Sequence, residues 1–122
     1  MKKDLETLKE EYIIAAIDHV VSLQNDDAPG SRKYGKKSNK IFKKIKKAGE
    51  SGHKLLLELL AFDDRRVNFK AAYHLFFSDT EKAKNIFEEL RDSEDDHVSH
   101  EAEFMLNMLE SGRLKYDEDY FY

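Results

Sequence analysis

Two stretches of this chain repeat each other at a fixed offset of 31 residues. Asp64, Val67, Ala71, Tyr73 and Leu75 recur as Asp95, Val98, Ala102, Phe104 and Leu106. Upstream, Leu55, Leu56 and Leu59 recur as Ile86, Phe87 and Leu90. Inside each copy the apolar residues step by three and four, which is the spacing of one helical face. A short helical unit cannot bury its apolar face alone, so such a period restricts the chain to stacked helix pairs.

The rest of the chain is consistent with helices of that kind. One proline and five glycines leave long stretches uninterrupted. Leu5, Leu8, Tyr12, Ala16, Val20 and Leu23 predict a first helix over about residues 4–23, and Ile13, Ile14, Ile17 and Val21 widen its apolar face. The run Asn25 to Ser31, with Pro29 and Gly30, reads as a turn. A second helix is expected over about residues 32–48, ended by Ala48-Gly49-Glu50-Ser51-Gly52, where glycine suits a left-handed cap. A leucine-rich third helix covers about 53–62, and a fourth about 65–77 with Asp64 as its N-cap. Ser78 and Glu81 have capping-box spacing and predict the start of the fifth. The sixth runs to about Glu110, stopped by Ser111 and Gly112. Only the last two pairs obey the repeat, so the first pair is expected to cap the stack. The reading is one domain over residues 1–112 and an acidic, aromatic tail over 113–122.

Each second helix of the repeat opens with the same element. It reads Asp64-Arg65-Arg66-Val67-Asn68-Phe69-Lys70-Ala71-Ala72 in one copy and Asp95-Asp96-His97-Val98-Ser99-His100-Glu101-Ala102-Glu103 in the other. Aspartate caps, valine packs at the first turn, and alanine lets two helices approach. This Asp-x-x-Val-x-x-x-Ala pattern resembles the HEAT-like repeat. The full layout over roughly residues 5–113, including the basic Asn39-Lys40-Ile41-Phe42-Lys43-Lys44-Ile45 segment, is similar to a small bacterial HEAT-like family known only as a domain of unknown function. The resemblance implies an all-α, HEAT-like α-solenoid of about six helices in three antiparallel pairs. It also implies a non-catalytic binding scaffold, since relatives of this class serve as scaffolds or toxin-immunity proteins and others bind DNA. It supplies no active-site residues.

Charge is the second informative feature. The chain is net −4, but residues 31–54 carry ten basic side chains and one acidic, net +9, while residues 55–122 carry eight basic and seventeen acidic, net −9. Lys33, Lys37, Lys40, Lys44 and Lys47 follow helical steps and form one stripe, flanked by Lys36 and Lys43. A rigid row of cations can track an acidic protein surface or a phosphate backbone. No arginine fork or stacking platform accompanies it, so an acidic protein partner is the leading expectation and nucleic acid the alternative. Arg65, Arg66, Asn68 and Lys70 are expected at the edge of the same binding surface. Self-association through the opposite charges, and docking of the tail's Tyr116, Tyr120, Phe121 and Tyr122 on the lysines, are further expectations.

Other chemistry lacks its parts. The chain has no cysteine, so disulfides, thiolate metal sites and cysteine nucleophiles are excluded. His97 and His100 lie one turn apart but form too small a set to hold a metal. His100 stands where the other copy has Phe69, and partial burial is expected of it. The pairs Asp63, Asp64 and Asp95, Asp96 fall at helix starts, where capping accounts for them. There is no nucleophile elbow and no phosphate loop. No enzyme activity, cofactor or metal is expected. The longest apolar run, Tyr12 to Ile17, is too short to cross a bilayer. The opening Met1-Lys2-Lys3-Asp4-Leu5-Glu6 carries no secretion-type apolar run, so a cytoplasmic protein without membrane partners is expected.

Overall fold

The structure, a computed structural model, describes residues 4–76, 78–94 and 96–111. Its elements are α1 (Leu5–Gln24), α2 (Ala28–Lys46), α3 (Glu50–Leu60), α4 (Arg65–Leu75), α5 (Thr80–Arg91) and α6 (Asp96–Glu110). No strand occurs among the described residues, so the chain is all-α as its periodicity requires. The expected cap at Asp95, the stop at Gly112 and the tail lie outside the described residues. No helix among the described residues is long and apolar enough to cross a membrane.

The chain divides into two compact units that part at Leu59 and Leu60. In the first, α1 packs against α2. Leu8, Tyr12, Ala15, Ala16 and Val20 supply the buried face of α1, and Ile41, Phe42 and Ile45 that of α2. Burial pushes the Tyr12 phenol well above its usual pKa, so it stays neutral. Lys9 Nζ meets Glu58 Oε2 of α3 at 3.5 Å. The apolar face of α1 is narrower than its sequence implies. Ile14 is 57% exposed and Leu23 40% exposed.

In the second unit α4 packs on α5, α5 on α6, and α4 also touches α6. Phe87 of α5 holds the first joint: its ring lies 5.7 Å from Phe69 of α4 and 6.4 Å from Phe76 at the C-cap of α4. Val67, Ala71, Ala72 and Leu75 are buried on α4, and Val98, Ala102, Met105 and Leu106 on α6.

Several helix starts correct the sequence reading. α2 begins at Ala28 rather than near Arg32, because Asp27 caps it by accepting the Gly30 N–H at 3.0 Å. Pro29 is not a breaker there. In the first turn its missing N–H forfeits no helical bond. α3 begins at Glu50 rather than near His53, directly after Gly49, whose φ of +67° makes it the left-handed terminator of the preceding helix. The Ser78–Glu81 capping box does not form. Asp79 occupies the N-cap without a side-chain cap bond, Ser78 Oγ donates back to the Leu75 carbonyl at 3.2 Å, and Thr80 Oγ1 donates to the Phe76 carbonyl at 2.8 Å. These hydroxyls serve the end of the preceding helix instead.

Candidate functional site

α2 is a sharply two-sided helix. One side buries Gly35, Ser38, Ile41, Phe42 and Ile45, with Ser38 Oγ donating to the Gly35 carbonyl at 3.0 Å. The lysines at 33, 36, 37 and 40 are all exposed, as are those at 43, 44 and 47, and Arg32 joins them. At 100° per residue these eight positions cover a band about 140° wide, centred opposite the buried side. The stripe from Lys33 to Lys47 is about 21 Å long at 1.5 Å per residue. No acidic side chain occurs between Asp27 and Glu50.

Local electrostatics does not explain this face. Lys43, Lys44 and Lys46 sit in the last turn, where the helix dipole favours cations. Arg32, Lys33, Lys36 and Lys37 lie in the first half, where it does not. Lys33–Lys37, Lys36–Lys40, Lys40–Lys44 and Lys43–Lys47 are like-charge neighbours one turn apart, each pair costing on the order of 0.2–0.5 kcal/mol. Lys33 Nζ stands 5.4 Å from the Tyr34 ring. Among the described residues, no carboxylate pairs with Lys36, Lys37, Lys40, Lys44 or Lys47. The face is a concentration of positive charge, and no carboxylate of the described residues neutralises these five lysines.

Of the four residues expected at the edge of this surface, Arg66, Asn68 and Lys70 have other tasks. Arg65 alone of them is exposed. Arg66 closes a fork on Asp64, with Nε to Oδ1 at 3.1 Å and Nη2 to Oδ2 at 2.8 Å. The same carboxylate accepts the Arg66 backbone N–H at 2.9 Å, so Asp64 is the cap it was expected to be. The Arg66 side-chain bond is the main reason its pKa is lowered. Asn68 Nδ2 donates to the Phe62 carbonyl at 2.8 Å and ties the α4 start to the preceding turn. Lys70 is only 3% exposed, with Nζ 5.3 Å from the Tyr73 ring. Burial lowers its pKa to about 7. The sequence signal for this burial is α4 itself. Val67, Phe69, Ala71, Ala72, Leu75 and Phe76 leave this helix almost no polar side on which a lysine could stand.

Three carboxylates at helix starts are engaged with backbone. Asp4 accepts the Thr7 N–H at 2.8 Å, and Asp27 and Asp64 act likewise. His97 is half-buried, while His100 is exposed rather than packed in the manner of Phe69. Among the described residues, no three or more His, Asp or Glu side chains are grouped to hold a metal ion. Comparisons of the chain with protein-family models, curated proteins and solved structures return no match.

Proposed function

We propose that this protein is a non-catalytic helical binding module that takes an anionic macromolecular partner on the exposed face of α2. One observation carries the reading: that face is cationic throughout, and the described part of the molecule leaves five of its lysines unpaired. A solvated surface without a partner ordinarily interleaves both signs, because like charges at helical spacing cost stability. An acidic protein is one partner class, as for a scaffold or an immunity-type antagonist, and nucleic acid is the other. Arg66, Asn68 and Lys70 are no part of the proposed surface.

The finer architecture belongs to the same proposal: a HEAT-like solenoid of three antiparallel helix pairs. Matched burial of the repeat positions supports it. Ala71 and Ala102 are both 0% exposed, and Val67 and Val98 are 0% and 1% exposed.

Titration with two polyanions, heparin and poly-glutamate, in 50 mM salt tests the function. The wild-type chain should bind, and the variant K33Q/K37Q/K40Q/K44Q/K47Q should not, while keeping the same helical circular dichroism. If the wild-type chain ignores both polyanions, α2 is a plain solvated face and the proposal fails.

A further inference from the structure

We infer that the partner of the α2 face is double-stranded B-form DNA, held through its phosphate backbone without sequence preference. The inference rests on the proposed binding role of α2 and goes further by naming what binds there.

The composition of the face separates a phosphate backbone from a protein. Protein interfaces are built around buried aromatic or aliphatic anchors, with lysine depleted at their centre. The exposed band of α2 is the reverse. Its apolar side chains Ile41, Phe42 and Ile45 are all turned into the core, the half-buried Tyr34 lies by helical angle on that same side, and among the described residues of α2 no aromatic ring falls within the band. A surface of this kind has nothing with which to desolvate a protein hot spot. It has what backbone neutralisation requires, since displacement of counterions from phosphates supplies affinity with charge alone.

The shape of the band selects the form of nucleic acid. Single strands are captured by stacking their bases on aromatic rings, and the face presents none. A duplex has its bases already stacked and offers two phosphate rows. The cations of α2 lie in two margins, Lys36 and Lys43 on one and Lys37 and Lys44 on the other, with Lys33 and Lys40 between them. A helix with its side chains is about 10–12 Å across. The major groove of B-form DNA is about 12 Å wide, so the two margins can reach the two strands that border it. The major groove of A-form RNA is deep and narrow and does not present its strands in this way. Sequence readout is not expected. The band has no Gln, its one Asn (Asn39) is half-buried, and flexible lysines act on phosphates as point charges.

Outside α2 the chain offers little further attraction to phosphate. Residues 55–122 are net −9, so contacts beyond α2 would be repulsive. Affinity should therefore lie in the non-specific range, roughly 10⁻⁴–10⁻⁶ M at physiological salt, and should fall steeply as salt rises. Neutralising five phosphates gives a log–log salt slope of about −4.5, or a roughly 500-fold loss between 50 and 200 mM.

Fluorescence anisotropy of the full chain decides the matter. The probes are two 20-base-pair DNA duplexes of unrelated sequence, one RNA duplex, one mixed-sequence single DNA strand and labelled poly-glutamate. The expected result is equal affinity for both DNA duplexes, at least tenfold weaker binding of the other three probes, and a slope near −4.5. Each lysine-to-glutamine change in the stripe should flatten that slope by about 0.9. Equal or tighter binding of poly-glutamate would make the partner an acidic protein, and preference for the RNA duplex or the single strand would make it another nucleic acid. Either result overturns the inference while leaving the anion-binding role intact. If heparin binds but no DNA probe does, the inference again fails alone. If none of these polyanions binds, both readings fall.

Discussion

The carbonyl oxygen of Ile45 occupies the space where a side chain on Gly52 would begin: a Cβ placed on Gly52 stands 1.8 Å from it. Only a residue without a side chain lets α3 begin its first turn this close to the end of α2. The C-terminal end of the lysine helix and the first turn of α3 thus approach at backbone distance.

Gly52→Ala should accordingly destabilise the protein, because the obstacle is backbone and cannot rotate away. Overpacking of this kind costs about 1–3 kcal/mol. Gly49→Ala makes a useful contrast. Nothing lies within 4 Å of its added Cβ, but its φ of +67° is strained for alanine, by about 1–2 kcal/mol. Urea denaturation of the two variants checks both figures. A G52A midpoint equal to wild type would show that α3 does not need this approach.

Asp64→Ala should lower stability by about 1 kcal/mol through loss of the cap. The effect should depend on pH. Asp64 has its folded pKa lowered below 3.8, chiefly by the Arg66 side-chain bond. A depressed carboxyl pKa contributes stability that is present above the unfolded value and lost as pH falls through the folded one. The wild-type advantage over D64A should thus persist at pH 5–7 and shrink below pH 3.8. A gap between the two proteins that stayed constant down to pH 2 would remove the carboxylate from the explanation.

Lys70→Met should stabilise the protein at neutral pH. The unfolded amine has an ordinary pKa near 10.5, and burial lowers the folded value to about 7. Below pH 7 both states are protonated and the folded chain carries the whole cost of a buried cation. Between pH 7 and 10.5 the unfolded chain holds the proton and the folded chain releases it, so wild-type stability rises with pH across that window. At about 1.4 kcal/mol per pH unit this amounts to a few kcal/mol. Thermal melts of wild type and K70M should differ most at pH 6–7 and converge toward pH 10. Parallel curves over that range would mean that Lys70 is solvated.

Ala71→Glu and Ala102→Glu should each destabilise strongly, because both positions are fully buried. An unpaired carboxylate there costs several kcal/mol. Their equal burial also shows why much of this fold was legible in the sequence. Val67, Ala71 and Leu75 recur at helical steps, and the same steps at Val98, Ala102 and Leu106, there set among polar neighbours, give a second, independent reading of which side turns inward. Where apolar residues surround a helix, that reasoning loses its contrast. In α1, Ile14 and Tyr12 are equally apolar, yet one is 57% exposed and the other fully buried. In α4, the crowding of apolar residues leaves no clear polar side, and Lys70 lies inside with them. The lysine stripe of α2 was legible for the opposite reason, since its charged and apolar residues separate cleanly by angle. The start of α2 was not, because Pro29 marks a turn or a first helical turn with equal ease until the Asp27 cap is seen.

Relief of the like-charge repulsion in α2 should be measurable as stability. Four lysine pairs one turn apart, at about 0.2–0.5 kcal/mol each, hold back about 1–2 kcal/mol. In the variant K33Q/K37Q/K40Q/K44Q/K47Q glutamine keeps the helix propensity and removes the repulsion. The variant should therefore unfold at higher urea than wild type in 10 mM salt. At 1 M salt the Debye length falls to about 3 Å and the difference should vanish. A wild-type chain bound to a polyanion should close the same gap from the other side, because the ligand neutralises the charges that the substitution deletes. If the glutamine variant is no more stable than wild type at low salt, the lysines are already compensated within the molecule, and the surface proposed for partner binding is not available.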